Sequence, residues 1–171
     1  TADLLALLRS GQPAPAAQLV QQLGVTRPVL ARVVAEAGDR VLRIGKARAT
    51  AYVARADTDA GNAWPLLRMR PDATLEELGT VYALRGERFQ FVPAGDRANL
   101  THPVDAVPGH FPGLPWFLDD LRPQGFLGRT LAYRQASRLG VPDDLARWQL
   151  RDTLLAITRT GGTGIGDLLL G

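Results

Sequence analysis

The chain has no cysteine. That removes disulfides, thiol catalysis and thiolate metal sites. Lysine is nearly absent as well: Lys46 stands alone beside nineteen arginines. Only two histidines occur, His102 and His110, eight residues apart in a proline-rich loop. Asp105, Asp119 and Asp120 lie nearby, but a metal centre needs three or four convergent ligands. The expectation is a surface or hydrogen-bonding role and no metal. No apolar run approaches the roughly 20 residues of a membrane span. The opening "TADLLALLRSGQPAPAAQLV" lacks a charged segment followed by a long apolar one, so no secretory signal is visible. A cytoplasmic address follows by elimination, with no membrane partner. Ser10, Ser137 and the threonines have no adjacent base, so no hydrolase triad is arguable. No repeat, low-complexity segment or heptad seam is present.

Charge is present, but unevenly. Residues 1–55 hold eight Lys/Arg against three Asp/Glu, and residues 56–171 hold twelve against fourteen. A basic first third on a mildly acidic remainder suggests a polyanion partner for the first third. The competing reading is a solvated basic face.

Three short helical patterns come first. In "ADLLALLRS", Leu4, Leu5 and Leu8 share a face, and Gly11 and Pro13 follow. In "APAAQLVQQLG", Ala16, Leu19, Val20 and Leu23 form a stripe and Gly24 is the C-terminal cap. In "VTRPVLARVVAEAG", Thr26 is the expected N-cap through its hydroxyl, and Pro28 sits in the first turn, where a missing N–H costs little. Val25, Leu30, Val33 and Val34 form the inward stripe, and Gly38 stops the helix. The tight second-to-third connection has helix-turn-helix form. It leaves Arg27, Pro28, Ala31, Arg32 and Ala35 outward, where a recognition helix meets base edges. Arg27 and Arg32 have the reach for a guanine or a phosphate. A hairpin, "RVLRIGKARATAYVAR", then completes a winged helix. Lys46 and Arg48 lie at its tip, with Arg40 and Arg43 beside them. A wing of this kind also serves as a protein-interaction module, and positive charge favours the DNA reading.

"ADTDAGN", residues 56–62, reads as a linker. Beyond it, "WPLLRMRP" is a strand candidate. "GTVYALRGERFQFVP" reads as a hairpin, with Val81, Ala83, Phe89 and Phe91 on one face. Residues 100–117 are loop-rich. Helical patterns return at "FLDDLRPQGFLGRTLAYRQASRLG" and at "DDLARWQLRDTLLAITRTG". In the latter, Asp143 and Asp144 favour a helix start, and Leu145, Trp148, Leu154 and Ile157 supply an apolar face. Trp116, Phe117 and Phe126 are expected in the core. Asp119 and Asp120 point about 100° apart on a helix, so they do not converge on a substrate. Asp120 is expected to fix the "RPQG" turn through backbone hydrogen bonds. "GGTGIG", residues 161–166, lacks the Lys-Ser/Thr of a P-loop and the spacing of a dinucleotide fingerprint. It reads as a turn.

At "GLPWFLDDLRPQGFLGR", residues 113–129, the chain resembles the N-terminal part of the HipA family of toxin-type serine/threonine kinases from bacterial toxin–antitoxin systems. Phe117, Asp120, Leu121, Pro123 and Gly125 match that family's F-x-x-N/D-L-x-P-x-G stretch. "GIGDLLLG" resembles the strand ahead of its nucleotide-binding loop. "IGKARATAYVAR" beside "LPWFLDDLRPQGFLGR" is similar to a YjjJ-like branch with its own N-terminal helix-turn-helix. The resemblance is strongest over 113–129, fair over 159–171 and weak over 63–100. It departs where catalysis would lie. No ATP loop, phosphate-binding lysine, catalytic Asp/Asn segment or metal-binding Asp is present, and Lys46 lies in the wing. With no starting methionine and no kinase core, the chain is expected to be a piece of a longer protein.

The expected fold is α+β. A winged helix-turn-helix occupies 1–55, a linker 56–62, and a small β-sheet plus helices, resembling the HipA N-terminal subdomain, occupies 63–171. The expected function is sequence-specific binding of double-stranded DNA, with transcriptional autoregulation. The residues are Thr26, Arg27, Pro28, Ala31, Arg32, Arg43, Lys46 and Arg48. The alternative is a non-catalytic kinase lobe whose wing meets a protein. No catalytic residue and no cofactor are assigned to this chain. The resemblance implies ATP and Mg only in the full-length kinase. It also implies the kinase core, an antitoxin or a second copy of the chain as further partners.

Overall fold

Where apolar residues recur at helical spacing and a glycine follows, the chain turns into a helix and stops. The computed structural model describes residues 1–95, 107–160 and 167–171. His102, Asp105 and the 161–166 glycine run lie outside the described residues.

Helices α1 (Ala2–Leu7), α2 (Ala16–Leu23) and α3 (Arg27–Ala37) gather Leu4, Leu8, Leu19, Leu30 and Ala37 into one core. Strands β1 (Ala14–Pro15), β2 (Val41–Ile44) and β3 (Ala51–Ala54) form an antiparallel sheet in the order β1-β3-β2. Val41, Tyr52 and Ala54 turn from that sheet onto the helices. The two-residue β1 is too short to show any periodicity, and the sequence reading did not anticipate it. Within the expected hairpin stretch, Ala47–Ala49 is a short 3-10 turn.

The second sheet has the order β7-β6-β5-β4-β8 and is antiparallel throughout. Its strands are β4 (Ala63–Met69), β5 (Leu75–Leu84), β6 (Arg88–Pro93), β7 (His110–Phe111) and β8 (Leu168–Leu170). Val81, Ala83, Phe89 and Phe91 are all buried, as their alternation requires. Pro65 is tolerated inside β4 for a geometric reason. Its carbonyl accepts from the Gly171 amide, so its ring nitrogen also faces the β8 side. Pointing away from β5, it costs no bond of the β4–β5 ladder.

The prolines and glycines divide the expected long helices. Trp116–Leu121 is a 3-10 turn, and after the Arg122-Pro123-Gln124 break α4 runs Gly125–Leu139. Leu145–Arg147 is another 3-10 turn, capped by the Asp144 carboxylate, which accepts from the Ala146 amide. Helix α5 begins only at Leu150 and ends at Thr160. Asp152 accepts from the Gln149 amide and holds that start. Residues 152–157 are all buried because α5 is covered on two sides. Leu154 and Ile157 pack on the sheet, and Leu155 and Ala156 pack with Leu139 and Val141.

The chain is therefore a mixed α/β protein with two antiparallel sheets and several helices. The two sheets meet directly. Arg55 bridges to Leu84, and the Ala56 amide donates to the Ala83 carbonyl. In residues 56–62, the Thr58 and Gly61 backbones bond each other in both directions. A β-carbon on Gly11 would collide with the Arg85 carbonyl, so the α1–β1 turn rests on the β5–β6 turn.

Three local expectations are corrected. Phe117 is buried as expected, in edge contact with Phe91 at 5.4 Å and Phe111 at 5.6 Å. Trp116 and Phe126 are not core: they are 52% and 74% exposed. Trp116 leads the 3-10 turn with its edge on Phe117, and Phe126 lies on the outward face of α4. The "RPQG" turn is held by Asp119, not Asp120. The Asp119 carbonyl accepts from the Arg122 amide and Gln124 Nε2, and its carboxylate pairs with Arg122 at 3.4 Å.

Candidate nucleic-acid interface

Helix α2 ends on Gly24 in the left-handed region (φ 63°), and the Val25 amide donates back to the Val20 carbonyl. Only glycine takes that geometry without strain. It turns the chain within three residues from α2 into α3. Thr26 occupies the N-cap position with extended backbone, but its hydroxyl makes no capping bond. The expected cap bond is thus corrected: the position holds and the side chain is left exposed.

Helix α3 separates cleanly into two faces. Leu30 is buried, and Val25, Val33 and Val34 pack half-buried against the same cluster. Arg27, Pro28, Ala31, Arg32 and Ala35 are exposed. The i, i+4 spacing sets Arg27 beside Ala31 and Pro28 beside Arg32. Ala31 is small and lets both guanidinium groups extend past it. No acidic residue occupies the first turn. Glu36, near the far end of the helix, is engaged by the Thr1 hydroxyl at 3.1 Å.

Arg43 lies exposed on β2, opposite Tyr52 of β3. The β2–β3 connection is a tight turn. A β-carbon on Gly45 would collide with the Ala49 carbonyl, and Ala47 has positive φ (50°). This turn carries Lys46 and Arg48, both exposed. Among the described residues, none of Arg27, Arg32, Arg43, Lys46 and Arg48 forms an ion pair. Arg40, grouped with them by sequence, instead donates through Nε to the Ala37 carbonyl. The structure thus brings Thr26, Arg27, Pro28, Ala31 and Arg32 onto one half-helix, and Arg43, Lys46 and Arg48 onto the hairpin that follows.

Sequence reasoning missed Arg55. Its guanidinium donates to Asn62 Oδ1 at 2.6 Å, lies 5.0 Å from the Tyr82 ring centroid and approaches Asp39 at 3.8 Å. Its place at the strand end facing "ADTDAGN" was the available signal. Elsewhere, the Asp72 carboxyl in the β4–β5 turn is held below the usual carboxylate range by the Thr74 hydroxyl and amide. No group of three or more metal-type side chains converges among the described residues. No helix among them is long and apolar enough to cross a membrane.

Fold and site together define a two-sheet α/β protein with an uncompensated basic helix and hairpin at its N-terminal end. Residues 60–171 match the family described as YjjJ-like toxin, middle domain. The chain belongs to the YjjJ-like toxins. It is 36% identical over 169 residues to Toxin YjjJ of Escherichia coli (strain K12), a match covering 99% of this chain and 36% of that protein. The chain thus spans little more than a third of its curated relative. No solved structure matches it.

Proposed function

We propose that residues 1–55 are a winged helix-turn-helix that binds double-stranded DNA in a sequence-specific way. The observation that carries this is the outward face of α3, where Arg27 and Arg32 stand exposed and unpaired beside Ala31. The element order α1-β1-α2-α3-β2-β3, with sheet order β1-β3-β2, supports the winged-helix reading. In it, α3 enters the major groove with its N-terminal half. Arg27 and Arg32 address guanine edges or flanking phosphates, while Arg43, Lys46 and Arg48 neutralise backbone phosphates. Thr26 and Pro28 set the entry of the helix. DNA upstream of the protein's own gene is the first target, and repression of that operon is the consequence. A second copy reading a second half-site fits this mode of binding.

The likeness of residues 113–129 to HipA-type kinases supports a further reading. The longer relatives would be serine/threonine kinases using ATP and Mg, with 63–171 a non-catalytic part packed on the core. The built-in DNA reader would then take over the operator-binding task of a separate antitoxin. This reading predicts no nucleotide binding by the present chain. Micromolar ATP affinity by calorimetry would overturn it.

The DNA reading is tested by fluorescence anisotropy with upstream duplex against scrambled duplex across a salt series. Selective binding with a steep salt slope, abolished by Arg32→Glu, is the expected result. Equal, weak binding to both duplexes would leave the hairpin as a protein-facing element.

A further inference from the structure

Helix α4, which carries the Phe126 expected in the core, is the more exposed of the two α-helices described after residue 62. Along α4 only Gly128, Ala132 and Leu139 are buried. Phe126, Leu127 and Tyr133 are 74%, 70% and 77% exposed. Apolar exposure on this scale, gathered within eight residues, marks an interaction surface. Beside it lies a groove of about 740 Å³, between α4 and the turn after Leu121. Leu121, Pro123, Leu127 and Leu131 line it with aliphatic surface, and Arg122 and Arg134 border it.

The groove is built by Gly128. A β-carbon there would stand 2.6 Å from the Pro123 carbonyl carbon and 3.0 Å from Leu145 Cδ2. Its absence lets the turn lie directly against the helix. The helix itself contributes positive charge alone. Helix α4 carries Arg129, Arg134 and Arg138 and no acid. Among the described residues none of these three is in an ion pair or side-chain hydrogen bond.

We propose that the α4 groove docks an acidic amphipathic helical segment of a partner protein. Its apolar side chains would fill the space over Leu121, Leu127 and Leu131, and its carboxylates would face Arg134 and, one turn on, Arg138. Helix-in-groove docking needs this combination of an apolar trough and charged borders. Complementary charge at the border fixes orientation and speeds encounter. The groove disfavours a nucleic acid. No aromatic ring lines it for a base to stack on, and its apolar floor of Leu121, Pro123, Leu127 and Leu131 offers no donor to a phosphate backbone.

The test titrates the intact chain with a synthetic amphipathic peptide of roughly five helical turns, Leu on one face and Glu on the other. Its lysine counterpart is the control, and amide shifts are read by NMR. The expected result is saturable binding with shifts confined to 120–138. Arg134→Glu and Leu127→Ser should each weaken it about tenfold. Both positions are exposed, so unchanged thermal melts will separate lost docking from lost folding. Arg32→Glu should leave binding intact, which keeps this surface distinct from the DNA reading. Absent binding, or equal binding of the lysine peptide, overturns the proposal. So does concentration-dependent dimerisation that Leu127→Ser abolishes, because the occupant is then a second copy. Displacement of the peptide by a single-stranded oligonucleotide, with shifts along α4, overturns it in favour of a nucleic acid.

Discussion

Replacing Arg55 by alanine should destabilise the chain by about 2 kcal/mol, although Arg55 is part of neither basic surface. A charged hydrogen bond such as that to Asn62 Oδ1, at 2.6 Å, is worth roughly 1.5–3 kcal/mol. The cation–π contact with Tyr82, at 5.0 Å, adds about 0.5–1 kcal/mol. The approach to Asp39 adds nothing, because that carboxylate is fully exposed. One term opposes these. Arg55 Nε is buried without a partner, and alanine removes that unsatisfied donor, which relieves about 1 kcal/mol. Asn62 keeps its bond to Asp57 Oδ1 at 2.6 Å but loses the guanidinium that aligns it. For a chain of this length, about 2 kcal/mol lowers Tm by roughly 4–8 °C. Circular dichroism melts and urea titration read this directly. Arg55→Lys keeps a cation over Tyr82 but cannot reproduce the planar fork, so it should recover less than half of the loss. A drop below about 0.5 kcal/mol for the alanine variant would refute the claim that Arg55 ties the two sheets together.

On the proposed DNA reading, three hairpin phosphate contacts give a log–log salt slope of about −2.7, or roughly a fortyfold loss of affinity between about 50 and 200 mM salt. Lys46→Ala should shallow that slope by about 0.9 without changing the preferred sequence, whereas a changed preference would move Lys46 to the bases. Phe117→Ala, which removes a ring packed on Phe91 and Phe111, should cost about 3–5 kcal/mol in urea unfolding. Phe126→Ala, at a 74% exposed position, should change stability by less than about 0.5 kcal/mol. A large loss there would mean that the ring is covered in solution. Gly11→Ala should lower Tm measurably, since its methyl group meets the Arg85 carbonyl and the φ of 70° is unfavourable for alanine.

What was legible in the sequence followed periodicity and punctuation. Gly24 and Gly38 end their helices because each takes positive φ, and the Leu19 and Leu30 stripes fall where a 3.6-residue repeat puts them. The Val81, Ala83, Phe89, Phe91 alternation found its sheet face for the same reason. What was not legible depends on contacts distant in sequence. Strand β1 exists because the Ala16 amide meets the Thr50 carbonyl and Ala14 pairs with Tyr52. Nothing local to two residues announces that. Phe126 and Trp116 were assigned to the core on residue type, but hydrophobicity does not say which face of an element is covered. At the candidate interface, exposure of Arg27, Pro28, Ala31 and Arg32 was readable from the opposed apolar stripe. The engagement of Arg40 by the Ala37 carbonyl was not.

The two unpaired arginine surfaces have different physical characters. On α3 and the β2–β3 turn, five cations stand over small or polar neighbours, with no exposed large apolar side chain named among them. On the proposed DNA reading such a surface gains from counterion release and little from burial, so its affinity should fall steeply with salt. On α4, Arg134 and, one turn on, Arg138 border aliphatic surface, and three apolar side chains stand exposed on the helix. Burial carries the larger share there and survives salt that screens the arginines, because the Debye length is only about 8 Å at physiological ionic strength. Salt therefore separates the surfaces within one chain. Raising it should release a ligand of α3 while leaving most of the binding at α4. Parallel salt dependence at both would mean that the aliphatic groove contributes no burial and that its arginines act alone.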